Sequence, residues 1–217
     1  MLKINVFAFM TEIEKHLKKD PYLKRVIEEA TETLALEPPR KDIYLALVRS
    51  ILGQQLSTKA AATIYQRFLE LFPKNYPSPA LVVKSEVDTL KSAGLSKQKA
   101  TYIQNVANFA INPGLEFDQL NVKTDEEIIQ YLTKIKGVGR WTVEMLLMFA
   151  FQRPDVFSVD DLGIQQAIKK LYNLKEEKKE LKNKMIEIAE VWKPYRTIAC
   201  RYLWRWKDNT PLNRTEK

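Results

Sequence analysis

Cysteine and histidine are almost missing from these 217 residues, each occurring once, as Cys200 and His16. A single cysteine excludes a disulfide framework and an iron–sulfur cluster held by four thiolates. His16 and Cys200 lie far apart in the chain, so neither a zinc site nor a histidine general base is expected. Glycine is scarce, with six residues, and strand-like alternation of apolar and polar side chains is nearly absent. No run approaches the roughly 18 apolar residues of a membrane span. The opening MLKINVFAFMTEIEKH lacks the small-residue cleavage site of a secretory signal and reads as an amphipathic helix. The expected setting is intracellular: cytoplasm or nucleoid, or the nucleus of a eukaryote. Any chemistry must run on carboxylates, hydroxyls, amines or backbone groups, and no cofactor is expected.

Apolar residues are plentiful, at 45%, with nine Phe, nine Tyr and four Trp. That suffices for a buried core and excludes a disordered chain; the length fits one domain or two small lobes. Lys and Arg number 35 against 27 Asp and Glu, a formal charge of +8. The imbalance favours an anionic partner, most simply nucleic acid, although an ordinary basic protein has the same signature.

Apolar spacing predicts an all-α chain of about ten helices. Ile43, Leu47, Val48, Ile51 and Leu52 share one helical face, and a break follows at Gly53-Gln54-Gln55-Leu56. Ser57 reads as the N-cap of the next helix, with Pro73, Pro77 and Pro79 ending it in a loop. Ser85 reads as the cap of a short helix closed by Gly94. Ser96 opens a helix stopped by Asn112-Pro113-Gly114, and Thr124, followed by acidic residues 125–127, caps another that runs to about Lys136. The stretch 140–151 is apolar nearly all round and should be central. Asp161 precedes a helix bearing Ile164, Ala167, Ile168 and Leu171. The charged run 175–184 reads as a solvated helix face, 195–206 as a last helix, and 208–217 as a polar tail.

The informative stretch is LTKIKGVGRWTVEMLLMFAFQRPDVFSVDDLGI, residues 132–164. Gly137 and Gly139 permit a tight turn with bare backbone at a helix N-terminus, where free N–H groups favour an anion. Lys136 and Arg140 flank it, so the turn could hold a phosphate without reading a base; an ordinary helix connection uses glycine in the same way. Downstream lie two adjacent carboxylates, Asp160 and Asp161, before an apolar helix, and either could simply cap it.

In this combination the chain resembles the helix–hairpin–helix DNA glycosylase superfamily, and within it the 3-methyladenine DNA glycosylase II family. The resemblance is carried also by ILGQQLSTKAA (51–61), SAGLSKQKATYI (92–103) and WKPYRTIACRYLWRW (192–206), and spans about Asp42 to Trp206. It implies a two-lobed helical fold with a cleft between lobes: 1–56 with 136–217 as one lobe, the hairpin completed by 125–151, and 57–135 as the middle lobe. The N-terminal sheet domain of some members is expected to be missing.

The resemblance places the catalytic carboxylate at Asp161, through the pattern Asp161-Leu-Gly-Ile164, with Asp160 capping or orienting beside the base pocket. Trp141 stands where glycosylase-lyases carry a lysine, so no Schiff base is available. Trp141 and Trp204 match pocket aromatics suited to a cationic base, the alternative being that both are core. Gln55, Leu56 and Ser57 occupy the loop whose side chain fills the gap left by an extruded nucleotide, Gln55 being favoured by position. Lys97 and Lys99, with Lys136, Gly137, Gly139 and Arg140, are candidates for the DNA backbone, and the carbonyls of Ile135, Lys136 and Val138 for a monovalent cation. The implied activity is that of a monofunctional, monomeric DNA-3-methyladenine glycosylase II type hydrolase acting on alkylated bases in double-stranded DNA. The rival reading is a non-catalytic helix–hairpin–helix module that only grips DNA and needs neither Asp161 nor the aromatic pocket. An oxidised-base or mismatch glycosylase is disfavoured by Trp141 and the missing cluster.

Overall fold

The computed structural model describes residues 6–209; the end of the polar tail lies outside them. The described residues contain no strand, and none of their helices is long and apolar enough to cross a membrane. Thirteen α-helices occur in this order: α1 (Val6–Leu17), α2 (Pro21–Glu28), α3 (Ile43–Gly53), α4 (Thr58–Glu70), α5 (Pro79–Lys84), α6 (Val87–Lys91), α7 (Lys97–Phe109), α8 (Phe117–Asn121), α9 (Asp125–Leu132), α10 (Arg140–Phe149), α11 (Leu162–Leu171), α12 (Lys178–Ala189) and α13 (Arg196–Asn209).

Local capping chemistry explains several of these boundaries. The side chains of Ser57, Ser96 and Asp161 accept from backbone amides at the starts of α4, α7 and α11. Thr124 and Glu127 form a reciprocal capping box at α9. Three expectations shift. Pro79 begins α5 instead of prolonging a loop, because proline fits the first helical turn. Ser85 consequently closes α5, with Glu86 preceding α6. The helix expected to reach Lys136 ends at Leu132, leaving a longer turn before α10.

By contact the chain forms two compact units, Pro39–Phe151 and the described residues on either side of it. The expected lobes were 57–135 and 1–56 with 136–217. The larger central unit arises because α3 packs on α4 and α7, and α10 on α3 and α9. Leu47, Val48, Ile51 and Leu52 of α3 are buried, as are Ala100, Ile103, Val106 and Ala107 of α7. At its end Phe151 stacks on Phe117 with centroids 5.3 Å apart.

In the other unit α11 packs on α12 and α13, and α13 on α2. Here a buried carboxylate joins distant parts of the chain. Asp20, 7% exposed, caps α2 by accepting from Tyr22 N and Leu23 N at 2.9 and 3.2 Å. It also accepts from Trp192 Nε1 at 2.8 Å and from the Tyr172 hydroxyl at the end of α11. Burial, with Asp20 beside it, drives the Tyr172 pKa far up. Asp20→Ala removes a cap and orphans two buried donors, so it should lower the unfolding free energy by about 3 kcal/mol or more, measured as a fall in the urea midpoint. Asp20→Asn, which retains the cap, should lose less.

Candidate active site

The central unit carries the hairpin. Between α9 and α10 the chain turns through Ile135-Lys136-Gly137-Val138-Gly139. Val138 N donates to Ile135 O at 3.0 Å, and Asn105 Nδ2 of α7 donates to Lys136 O at 3.1 Å. Gly137 has φ +105°, a region side chains avoid. A Cβ there would lie 2.3 Å from Tyr102 Cγ, so the turn rests on that ring. Gly139 differs. Its φ of −94° suits any residue, and a Cβ on it would meet nothing within 4 Å. Glycine is a favourable N-cap for α10, and here its bare backbone faces open space at the helix N-terminus, where amide groups lack helical partners.

The flanking cations are used unequally. Lys136 is exposed. Arg140, a candidate for the DNA backbone, bridges two helices of its own unit: its terminal nitrogens donate to Glu126 at 2.9 and 3.2 Å and its Nε to Glu144 at 3.1 Å. Glu126 is the main cause of a raised Arg140 pKa. Glu126 belongs to the acidic first turn of α9 expected from sequence, but its pairing with Arg140 does not follow from that reading; Glu144, only 6% exposed, was signalled only by the i, i+4 spacing of 140 and 144. The carbonyls of Ile135 and Lys136 already each accept one hydrogen bond, which any cation sharing them must accommodate.

The loop after α3 lies in the same unit. Gln55 adopts φ +59° and, like Leu56 and Ser57, is exposed. The Ser57 hydroxyl is committed to Ala60 N at 3.3 Å as the α4 cap. Together with Gly53, Arg49 and Trp141 the loop lines a groove of about 580 Å³, so Trp141, 39% exposed, is no core residue. Lys97 is exposed at the start of α7. Lys99 points inward: its ammonium donates to Leu52 O and Gln54 O at 2.8 and 2.7 Å, and partial burial lowers its pKa.

Asp160, Asp161 and Trp204 belong to the other unit. The segment before Asp161 is stapled to α13. Arg196 grips Asp155 at 2.7 and 2.9 Å, while Thr197 Oγ1 donates to Arg153 O at 2.6 Å and accepts from Val156 N at 3.0 Å. The two carboxylates are sorted by direction. Asp160 is half exposed and pairs with Lys182 of α12 at 2.5 Å. Asp161 is 8% exposed; its Oδ1 accepts from Ile164 N at 2.8 Å, capping α11, and from Trp204 Nε1 of α13, also at 2.8 Å. Gly163 permits that approach: a Cβ there would lie 3.0 Å from Asp161 Oδ1 and 3.1 Å from Trp204 Cδ1. A glycine inside a helix costs about 1 kcal/mol, so its place in the first turn of α11 was an unread signal of close packing.

Comparison with known proteins identifies the family. Residues 48–194 match the HhH-GPD superfamily of base excision DNA repair proteins. The chain is 34% identical over 209 residues to the DNA-3-methyladenine glycosylase 1 of Schizosaccharomyces pombe, spanning 94% of this chain and 90% of that one. The structure of the S. pombe 3-methyladenine DNA glycosylase in complex with abasic DNA has a TM-score of 0.80 at 31% identity, with coverage of 89% and 95%. A DNA-3-methyladenine glycosidase from Bacillus halodurans has a TM-score of 0.75 at 37% identity, with coverage of 91% and 89%.

The two hairpin glycines should separate on substitution. Gly137→Ala, strained in φ and driven into Tyr102, should cost at least about 2 kcal/mol of stability. Gly139→Ala should cost no more than about 1 kcal/mol yet weaken binding to duplex DNA. Chemical denaturation and a fluorescence-anisotropy titration measure the two effects; equal stability losses would contradict the assignment.

Proposed function

Because the chain belongs to the HhH-GPD superfamily of base excision DNA repair proteins, we propose that it is a monofunctional DNA glycosylase, which extrudes alkylated bases of the 3-methyladenine and 7-methylguanine type from duplex DNA and hydrolyses their N-glycosidic bonds. The observation that carries the reading is the buried carboxylate of Asp161, held at 2.8 Å by the indole N–H of Trp204. A carboxylate fixed by two donors is preorganised: it needs no rearrangement when positive charge develops nearby.

The chemistry follows from what leaves. When the C1′–N bond breaks, its electron pair departs with the base and the deoxyribose becomes oxocarbenium-like, as in glycoside hydrolysis generally. Asp161 stabilises that charge. Water then forms the new bond at C1′ and releases its proton to solvent, leaving free base and an abasic site. A base alkylated on a ring nitrogen is already cationic and departs as a neutral molecule, so no general acid is required. That suits a chain with one histidine.

The central unit supplies the grip. The open backbone at Gly139 suits a phosphate, with Lys136 exposed three residues before it and Lys97 exposed at the start of α7. Trp141 offers an exposed indole face, attractive to a cationic base by about 0.5–2 kcal/mol, and its position leaves no amine for a lyase step. Gln55, favoured by its position in the loop, is the wedge, Ser57 being occupied as a cap. Asp160 faces Lys182 and serves as a surface tether for the start of α11. The work of such an enzyme lies in the compartment that holds the genome.

Asp161→Asn tests the reading cleanly, because asparagine caps a helix as well as aspartate does. Base release from methylated duplex DNA in single turnovers should fall by about 10²–10³-fold or more, with DNA affinity retained. Asp160→Asn should release base within a few-fold of the parent rate. Excision retained by Asp161→Asn but lost in Asp160→Asn would reverse the assignment, and a parent protein that releases no base would be a DNA-gripping module.

A further inference from the structure

Lys99 is a cation whose placement the phosphate reading does not explain. It lies in the first turn of α7, yet its ammonium is turned onto Leu52 O and Gln54 O, where α3 ends, at 2.8 and 2.7 Å. Carbonyls at a helix C-terminus lack intrahelical partners and carry the negative end of the helix dipole. An ammonium there satisfies both, and commits two of its three N–H groups to the protein itself.

The residue between that clamp and the next helix is Gln55, with φ +59°. A side-chain-bearing residue persists in the left-handed region when its surroundings over-determine it. Here they do. Lys99 holds the carbonyl that precedes Gln55, Leu56 N closes a turn onto Gly53 O at 3.2 Å, and Ser57 is fixed as the cap of α4. Constrained before and after, Gln55 is left exposed beside the groove that Trp141 lines.

We propose that Lys99 is a positioning residue of the Gln55 wedge: by clamping the Leu52 and Gln54 carbonyls it presets the loop that fills the gap left by an extruded nucleotide. The proposal rests on the glycosylase reading. It assigns Lys99 to base extrusion and removes it from the set of cations that neutralise DNA phosphates.

The two roles leave different signatures. A lost phosphate contact lowers the slope of log affinity against log salt by about 0.9, whereas a lost strut leaves that slope alone and slows extrusion. The experiment compares the parent protein, Lys99→Met, Lys99→Arg, Gln55→Ala and the Lys99→Met/Gln55→Ala double variant on a duplex with one 7-methylguanine beside 2-aminopurine. Lys99→Met should release base roughly 10- to 100-fold more slowly, the order expected when a catalytic geometry is misplaced. It should show a weaker 2-aminopurine signal with an unchanged salt slope. Arginine, which retains the donors, should restore much of the rate, and the double variant should be no slower than Gln55→Ala alone. A salt slope lowered by about one contact, parent-like release by Lys99→Met, or an equal Lys99 effect in the Gln55→Ala background would each overturn the proposal. If Lys99→Met does not fold, Lys99→Gln is judged by the same criteria. Parent protein that releases no base overturns the glycosylase reading as well; release by the parent with indifference to Lys99 overturns the positioning role alone.

Discussion

The bond between the Trp204 indole N–H and Asp161 Oδ1 is the constraint on which the proposed site depends. It ties the first residue before α11 to the middle of α13, so the carboxylate is set by two helices. The same oxygen caps α11, which makes the side-chain rotamer a structural requirement as well as a functional one. The segment leading into Asp161 is fastened to α13 independently, through Arg196 and Thr197. The far end of α11 is fastened too, by Tyr172 on the buried Asp20. A catalytic group must be held within a fraction of an ångström to act, and the helix that the proposed carboxylate caps is anchored at both ends.

The central unit applies a different logic to charge. A net charge of +8 suggests side-chain cations massed against DNA, yet two of those nearest the motifs are occupied internally. Arg140 holds α9 to α10 through Glu126 and Glu144, and Lys99 holds the end of α3. What the hairpin presents is backbone at Gly139 together with the exposed Lys136. On the proposed reading such a grip recognises phosphate geometry and is indifferent to base identity. That suits a repair enzyme, whose lesion occurs in any sequence context, and it leaves discrimination to whatever receives the extruded base.

Much of this was legible in the sequence, and the boundary of legibility has a physical cause. The caps at Ser57, Ser96, Thr124 and Asp161 could be read because capping is a contact between residues three apart. The glycine turn and the paired carboxylates that follow it are local too, but locally they are ambiguous between an ordinary turn with a cap and a functional site; the family resemblance, spread over several motifs, chose between them. Asp20 could not, because its partners lie at 172 and 192 and nothing local distinguishes it from an ordinary N-cap. Lys99 looked like a surface cation because its acceptors are backbone carbonyls, which every residue type possesses. The limits of the central unit also lay out of reach, since they depend on α3 and α10 packing inward against α7 and α9.

Three glycines show how one residue type answers to three different constraints. Gly137 is required from within, because the turn has positive φ and lies against the Tyr102 ring. Gly163 is required by close packing, because a Cβ would push into the pair formed by Asp161 and Trp204. Gly139 satisfies neither condition: its dihedrals are ordinary and its missing Cβ would point into open space. As the N-cap of α10 it is one of several residue types that would serve, and its bare backbone leaves room for a surface that approaches from outside. On the proposed reading that surface is the DNA backbone. The glycines at 137 and 163 thus answer to the folded chain alone, while the one at 139 combines a capping role with an open approach.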